Sequence, residues 1–176
     1  MSNFKRLTFE ELRPIVGTFH ELTWPVSRMD IKALAEKLDW EITSDRRKGI
    51  DLRAALPLNE NWVDVLLSDE NVLKINIPVS DSVRSQDSDR ERDLQSSLRT
   101  IADDVNRIVG GGMFKNVAMR RYHWDFNDSS RLAVQNIGAK IILQALSPRW
   151  ANVERAEERQ ELDPSRPFDD HQEANG

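Results

Sequence analysis

The residues best placed to do chemistry are His123 and Asp125, two apart in Tyr122-His123-Trp124-Asp125. An imidazole oriented by a carboxylate makes a general base, and residues two apart in an extended strand share a face. The expectation is simpler: a solvent-facing pair on the back of a strand whose other face carries Tyr122, Trp124 and Phe126. His20 and His171 lie in an expected helix and in the tail, and three scattered histidines make no metal-ligand spacing. Asp103 and Asp104 are adjacent on a helical pattern, so they diverge and form a solvated flank. Asp87, Asp89, Glu91 and Asp93 alternate as in a calcium loop but lack its glycine and distal glutamate, and arginines are interleaved among them. They read as negative charge at a helix N-terminus. Gly110, Gly111 and Gly112 follow a helix rather than precede one, so they end it and do not cradle a phosphate. There is no cysteine and no G-x-S-x-G, which removes thiol chemistry and the lipase-type elbow. No catalytic, cofactor-binding or metal-binding residue is assigned, and no cofactor is expected.

Side chains suited to binding are easier to name. Of the five tryptophans, Trp24 and Trp150 stand near prolines at junctions between elements. Tryptophan and arginine are enriched where proteins grip partners. Trp24, Trp150 and the neighbouring Arg149 are the candidate partner-binding residues. Arg46-Arg47-Lys48 and Arg120-Arg121 are expected as solvated surface.

Charge is unevenly spread. Residues 154–176 hold eight acids and three bases, so of 30 acids and 25 bases the first 153 residues keep 22 of each. A neutral body argues against a nucleic-acid surface, which needs clustered positive charge. The first residues, Met1 to Leu12, form no apolar h-region, so no signal peptide is expected, and no stretch approaches the roughly 18 apolar residues of a membrane span. A cytoplasmic location is expected.

Several elements must position these residues. Thr8 caps a helix with the stripe Leu12, Ile15, Val16, Phe19 and Leu22, and Thr23-Trp24-Pro25 ends it. Ser27-x-x-Asp30 opens a second helix. Three strand patterns follow, over 50–56, 62–67 and 72–79, with a turn at Ser68 to Asn71. Trp40 and Ile42 are placed to begin a further strand. Ser88-x-x-Glu91 opens a long helix whose Leu94, Leu98, Ile101, Val105 and Ile108 make one apolar stripe. Three more strand patterns run from near Val117 to Leu146, and Ser147-Pro148 starts a short helix. The order is ααβββαβββα. Short turns imply antiparallel pairing, and the expected fold is α+β, an antiparallel sheet with helices packed on one face. A single domain over 1–160 is expected, followed by a disordered acidic tail over 161–176.

Three stretches carry a resemblance: Tyr122-His123-Trp124-Asp125; Ile141 through Leu146 with Ser147-Pro148-Arg149-Trp150; and Asn152 through Glu158, supported by Trp24-Pro25 through Leu38-Asp39-Trp40. They resemble an uncharacterised actinobacterial family of unknown function associated with secreted toxins and type VII secretion loci. The resemblance implies a small cytoplasmic α+β domain that binds another protein. It transfers no catalytic residue. The leading expectation is an immunity protein that neutralises a cognate secreted toxin. One alternative is a secretion chaperone with a type III chaperone-like fold, for which a homodimer would be usual. The other is a small enzyme using His123 and Asp125.

Overall fold

The computed structural model describes residues 3–84 and 88–162. Asp87 and the expected tail beyond Leu162 lie outside them. Thr8 and Glu11 form a reciprocal capping box at the start of α1 (Phe9–His20), and Ser27 and Asp30 do the same for α2 (Arg28–Leu38). Each box satisfies backbone N–H groups that a helix start leaves without partners. Then come β1 (Glu41–Arg46), β2 (Gly49–Arg53), β3 (Trp62–Ser68) and β4 (Asn71–Pro78). The long helix α3 (Ser88–Val109) leads to β5 (Phe114–Asn116), β6 (Arg121–Asp125), β7 (Arg131–Asn136) and β8 (Ile141–Leu146). The described chain closes with α4 (Pro148–Leu162). Gly110, Gly111 and Gly112 all take positive φ, and the amides of the first two donate to the Asn106 carbonyl, closing α3.

Among the described residues eight strands join one antiparallel sheet in the order β1-β2-β3-β4-β8-β7-β6-β5. The α+β class and antiparallel pairing are as expected. Two strands exceed the expected six: β1, which the Trp40/Ile42 alternation foreshadows, and the three-residue β5. The order is two four-stranded meanders meeting at a β4–β8 seam.

The two faces of the sheet differ in kind. Opposed residues Ile50, Val65, Ile75, Ala145, Leu132 and Trp124 make one row across six strands, and none is more than 3% exposed. On this face α3 buries Leu94, Leu98, Ile101 and Val105, with α1 packed beside it. The Trp124 indole N–H donates to Asn106 Oδ1 of α3 at 3.0 Å. One residue along each strand, the opposite face carries Asp51, Asp64, Asn76, Gln144, Ala133, His123 and Phe114 in register.

Here the structure departs from the expected one-sided packing. Glu154 and Glu158 of α4 pair with Arg121 and Arg131, which share the His123 face, so α4 lies across the sheet from α3. The physical reason is charge: the back of β6 and β7 carries Arg121 and Arg131, and the carboxylates of α4 supply partners for them.

A candidate charge cluster and a candidate cleft

The alternation that turns Tyr122 and Trp124 toward α3 turns Arg121, His123 and Asp125 toward α4. Strand β7 adds Arg131 and β8 adds Gln144. From α4, Glu154 and Glu158 reach down from positions one turn apart, with Arg155 beside them. The side chains of Arg121 and Arg131 are only 1% exposed. Arg121 Nη1 donates to Glu154 Oε2 at 2.9 Å and Nη2 to Gln144 Oε1 at 3.1 Å. Gln144 passes the chain to Asn76 at 2.9 Å, and Asn76 to Asp64 at 2.8 Å. One line of hydrogen bonds therefore runs from α4 to β3. The single methyl of Ala133 stands between His123 and Gln144 in that row, where a longer side chain would compete for the same space.

Arg131 is gripped from two sides. Its Nε and Nη2 meet the two oxygens of Asp125 at 2.8 and 3.3 Å, and its Nη1 and Nη2 meet Glu158 at 2.7 and 3.3 Å. Such forked pairs fix geometry as well as charge. Arg155 donates to Asp125 Oδ1 at 2.7 Å. Three cations thus face three carboxylates, Arg121, Arg131 and Arg155 against Asp125, Glu154 and Glu158. Burial disfavours the charge on Arg131, but hydrogen bonds to Asp125 and Glu158 outweigh it and hold the guanidinium more firmly protonated than usual. Burial likewise pushes the carboxyls of Asp125 and Glu158 up, but the hydrogen bond and charge of Arg131 win and leave both below the ordinary range.

His123 sits inside this cluster rather than in solvent. It is 3% exposed, with Phe114 across the pair at a ring separation of 5.0 Å. The expectation of a solvent-facing pair is corrected, and so is the expectation that Arg121 is solvated, because α4 covers that face. Asp125 does share the face, but its Oδ2 stands 3.6 Å from His123 Nε2, beyond hydrogen-bond range. His123 Nδ1 is buried with no hydrogen-bond partner, as is Arg121 Nε. Burial first, and the charge of Arg131 next, hold the imidazole below its ordinary pKa. The fold therefore favours neutral His123, whereas the unfolded chain takes up a proton below about pH 6.5. The associated stability is present above that pH and is lost as pH falls toward the lowered folded value, with a slope of at most about 1.4 kcal/mol per pH unit. Urea denaturation at pH 8, 6 and 5 is expected to show that decline. His123→Asn is expected to flatten it while leaving the steeper loss at more acid pH, where the unfolded chain takes up protons on Asp125 and Glu158 that the fold resists. An unchanged slope in His123→Asn would assign the decline to another group.

The other expected residues fall as follows. Asp103 pairs with Arg99 at 3.2 Å and Asp104 with Arg107 at 3.7 Å, each along α3. Among the described residues no group of three His, Asp or Glu could hold a metal ion. A cleft of about 750 Å³ lies between the N-terminal segment and the start of α3. Asp81 on its wall already accepts from the amides of Lys5 and Asn59.

Trp24 and Arg149 lie 125 positions apart in the chain and line one cleft of about 350 Å³. Pro25, Asp69 at the β3–β4 turn and Pro148 complete its rim. Arg149 is exposed and its Nη1 lies 3.4 Å from Ser68 Oγ. Trp150 is not in that cleft; its ring lies under Lys74 Nζ at 4.7 Å. The Arg/Glu cluster went unnoticed in the sequence, although arginines inside strands and two glutamates at i,i+4 spacing were its available signal.

These features define an α+β protein on one antiparallel sheet, apolar on one face and ion-paired to a helix on the other. The chain belongs to a family of unknown function, DUF6301, whose model matches residues 10–147. No curated protein and no solved structure is matched by the chain. Among the described residues, no helix is long and apolar enough to cross a membrane.

Proposed function

We propose that this chain is a protein-binding domain without catalytic activity, acting in the cytoplasm as an immunity protein that neutralises a cognate secreted toxin by covering its active site. The observation that supports a binding role is the cleft shared by Trp24 and Arg149. An indole and prolines beside an exposed guanidinium suit an apolar anchor next to an acidic group on the partner. The toxin-directed part rests on the resemblance of the Tyr122–Asp125 and Ile141–Trp150 stretches. The burial of His123, and its separation from Asp125, weigh against the enzyme reading. A secretion chaperone is the second reading. It draws on β1, which ends the sheet with one edge unpaired among the described residues and so open to an added strand.

The test places a photo-crosslinking residue at position 24, with position 117 on the far side of the sheet order as control. A single partner crosslinked only from position 24 is expected, and the purified chain is expected to inhibit it. Arg149→Glu is expected to weaken that complex at least tenfold while leaving folding stability within about 0.5 kcal/mol, because the side chain is exposed. A partner kept soluble without inhibition would favour the chaperone. Equal crosslinking from both positions would remove the cleft from the reading.

A further inference from the structure

Helix α4 has little to hold it besides charge. From Pro148 to Gln160 only Ala151 is buried, and Val153 is 55% exposed. The last backbone hydrogen bond to the sheet is Ser147 N–H to the Leu73 carbonyl at 2.9 Å; among the described residues, none follows it along α4. The family match also stops at Ser147, so the buried arginines and Asp125 lie inside it, whereas Glu154 and Glu158 lie outside. Beneath the helix the polar face is not saturated: Arg121 Nε and His123 Nδ1 are buried without partners. Phe114, 61% exposed, stands at the outer margin of the same face.

We propose that the β6–β8 face bearing Arg121, His123 and Arg131 is a docking site for an acidic helix of a protein partner, and that α4 occupies it in cis with Glu154 and Glu158. The chemistry of the ligand follows from its present occupant. Two carboxylates one turn apart, roughly 6 Å along the axis, meet the two arginines; Glu154 Oε2 touches both, at 2.9 and 3.2 Å. A competing helix would carry the same pair. It would gain over α4 by setting an apolar side chain on Phe114 and a polar group on the idle atoms of Arg121 and His123. This surface differs from the Trp24 cleft, which α4 enters only through Pro148 and Arg149 in its first turn; crosslinking from position 24 and peptide binding to the β6–β8 face report on the two separately.

Two measurements decide it. In the unaltered chain, hydrogen exchange is expected to show α4 amides exchanging at least a hundredfold faster than those of β7 and β8, because the helix opens while the sheet stays closed. Equal protection would make α4 an integral element and overturn the proposal. The second uses an acetylated peptide of residues 148–162 added to the full chain. It is expected to bind the E154Q/E158Q chain at least tenfold more tightly than the unaltered chain, where the cis helix competes. Shifts are expected at His123 and Arg121, and a peptide with both glutamates changed to glutamine is expected not to bind. No binding, or equal binding by the glutamine peptide, overturns the proposal. A dimer formed by exchanging α4 between two copies would make a second chain the occupant and overturn the partner form. Should E154Q/E158Q fail to fold, the exchange measurement on the unaltered chain decides alone.

Discussion

Trp124→Ala is expected to cost about 4 kcal/mol of folding stability. The side chain is 1% exposed and fills the space between the sheet and α3 at the end of the apolar row. Its loss leaves a cavity that rigid strands on either side cannot close, and it strips Asn106 of its indole partner. For a chain of this length the thermal midpoint is expected to fall by roughly 8–16 °C. Trp124→Phe keeps most of the volume and loses the hydrogen bond, so a loss of about 2 kcal/mol is expected. Urea denaturation of the three proteins checks both values. A loss below about 1 kcal/mol for the alanine variant would mean that α3 settles onto the sheet without this side chain.

Glu154→Gln acts at a different place. It removes the one carboxylate that meets Arg121 among the described residues, where the arginine side chain is 1% exposed. Breaking one partner of a buried pair costs far more than the pair contributes, because the remaining charge stays buried. About 3 kcal/mol is expected, roughly a hundredfold in the ratio of docked to undocked α4. The cost appears first as faster exchange in α4, since an undocked helix returns Arg121 to water. Global stability then falls by no more than the free energy that holds α4 in place. Glu157→Gln, on the exposed side of the same helix, is expected to change neither quantity by more than about 0.5 kcal/mol. Arg121→Met combined with Glu154→Leu is expected to recover most of the loss, because an apolar pair needs no compensation. Additive losses in that double variant would assign the effect to packing rather than charge.

The elements around the apolar face were legible because each had a local cause. Thr8 and Ser27 mark helix starts through boxes closed within three residues, and Gly110 marks a helix end. The stripe from Leu94 to Val105 is buried residue for residue. Tyr122 and Trp124 point inward as their alternation requires. The back of the sheet was not legible in the same way. Charged residues alternating along β6 look the same whether solvent or an acidic helix lies behind them. What separates the two cases is the long-range pairing of Arg121 with Glu154, 33 positions away. Strand β5 escaped because three residues are too few for a period to declare itself. The candidate binding residues divided likewise: Trp24 and Arg149 meet across the fold, whereas Trp150 is taken up by Lys74.

The β4–β8 seam has a kinetic meaning. Within each meander every strand pairs with its neighbour in sequence, so those ladders close short loops on the microsecond scale of hairpins. The seam instead joins Ile77 to Leu143 and Ile75 to Ala145, pairs separated in the chain by α3 and by β5, β6 and β7. Closing that loop is the largest single entropic demand on the folding chain. Each meander can collapse early, but neither has a complete core until the two halves meet. A chain arrested before that meeting would present the open edges of β4 and β8 as templates for mispairing with other copies.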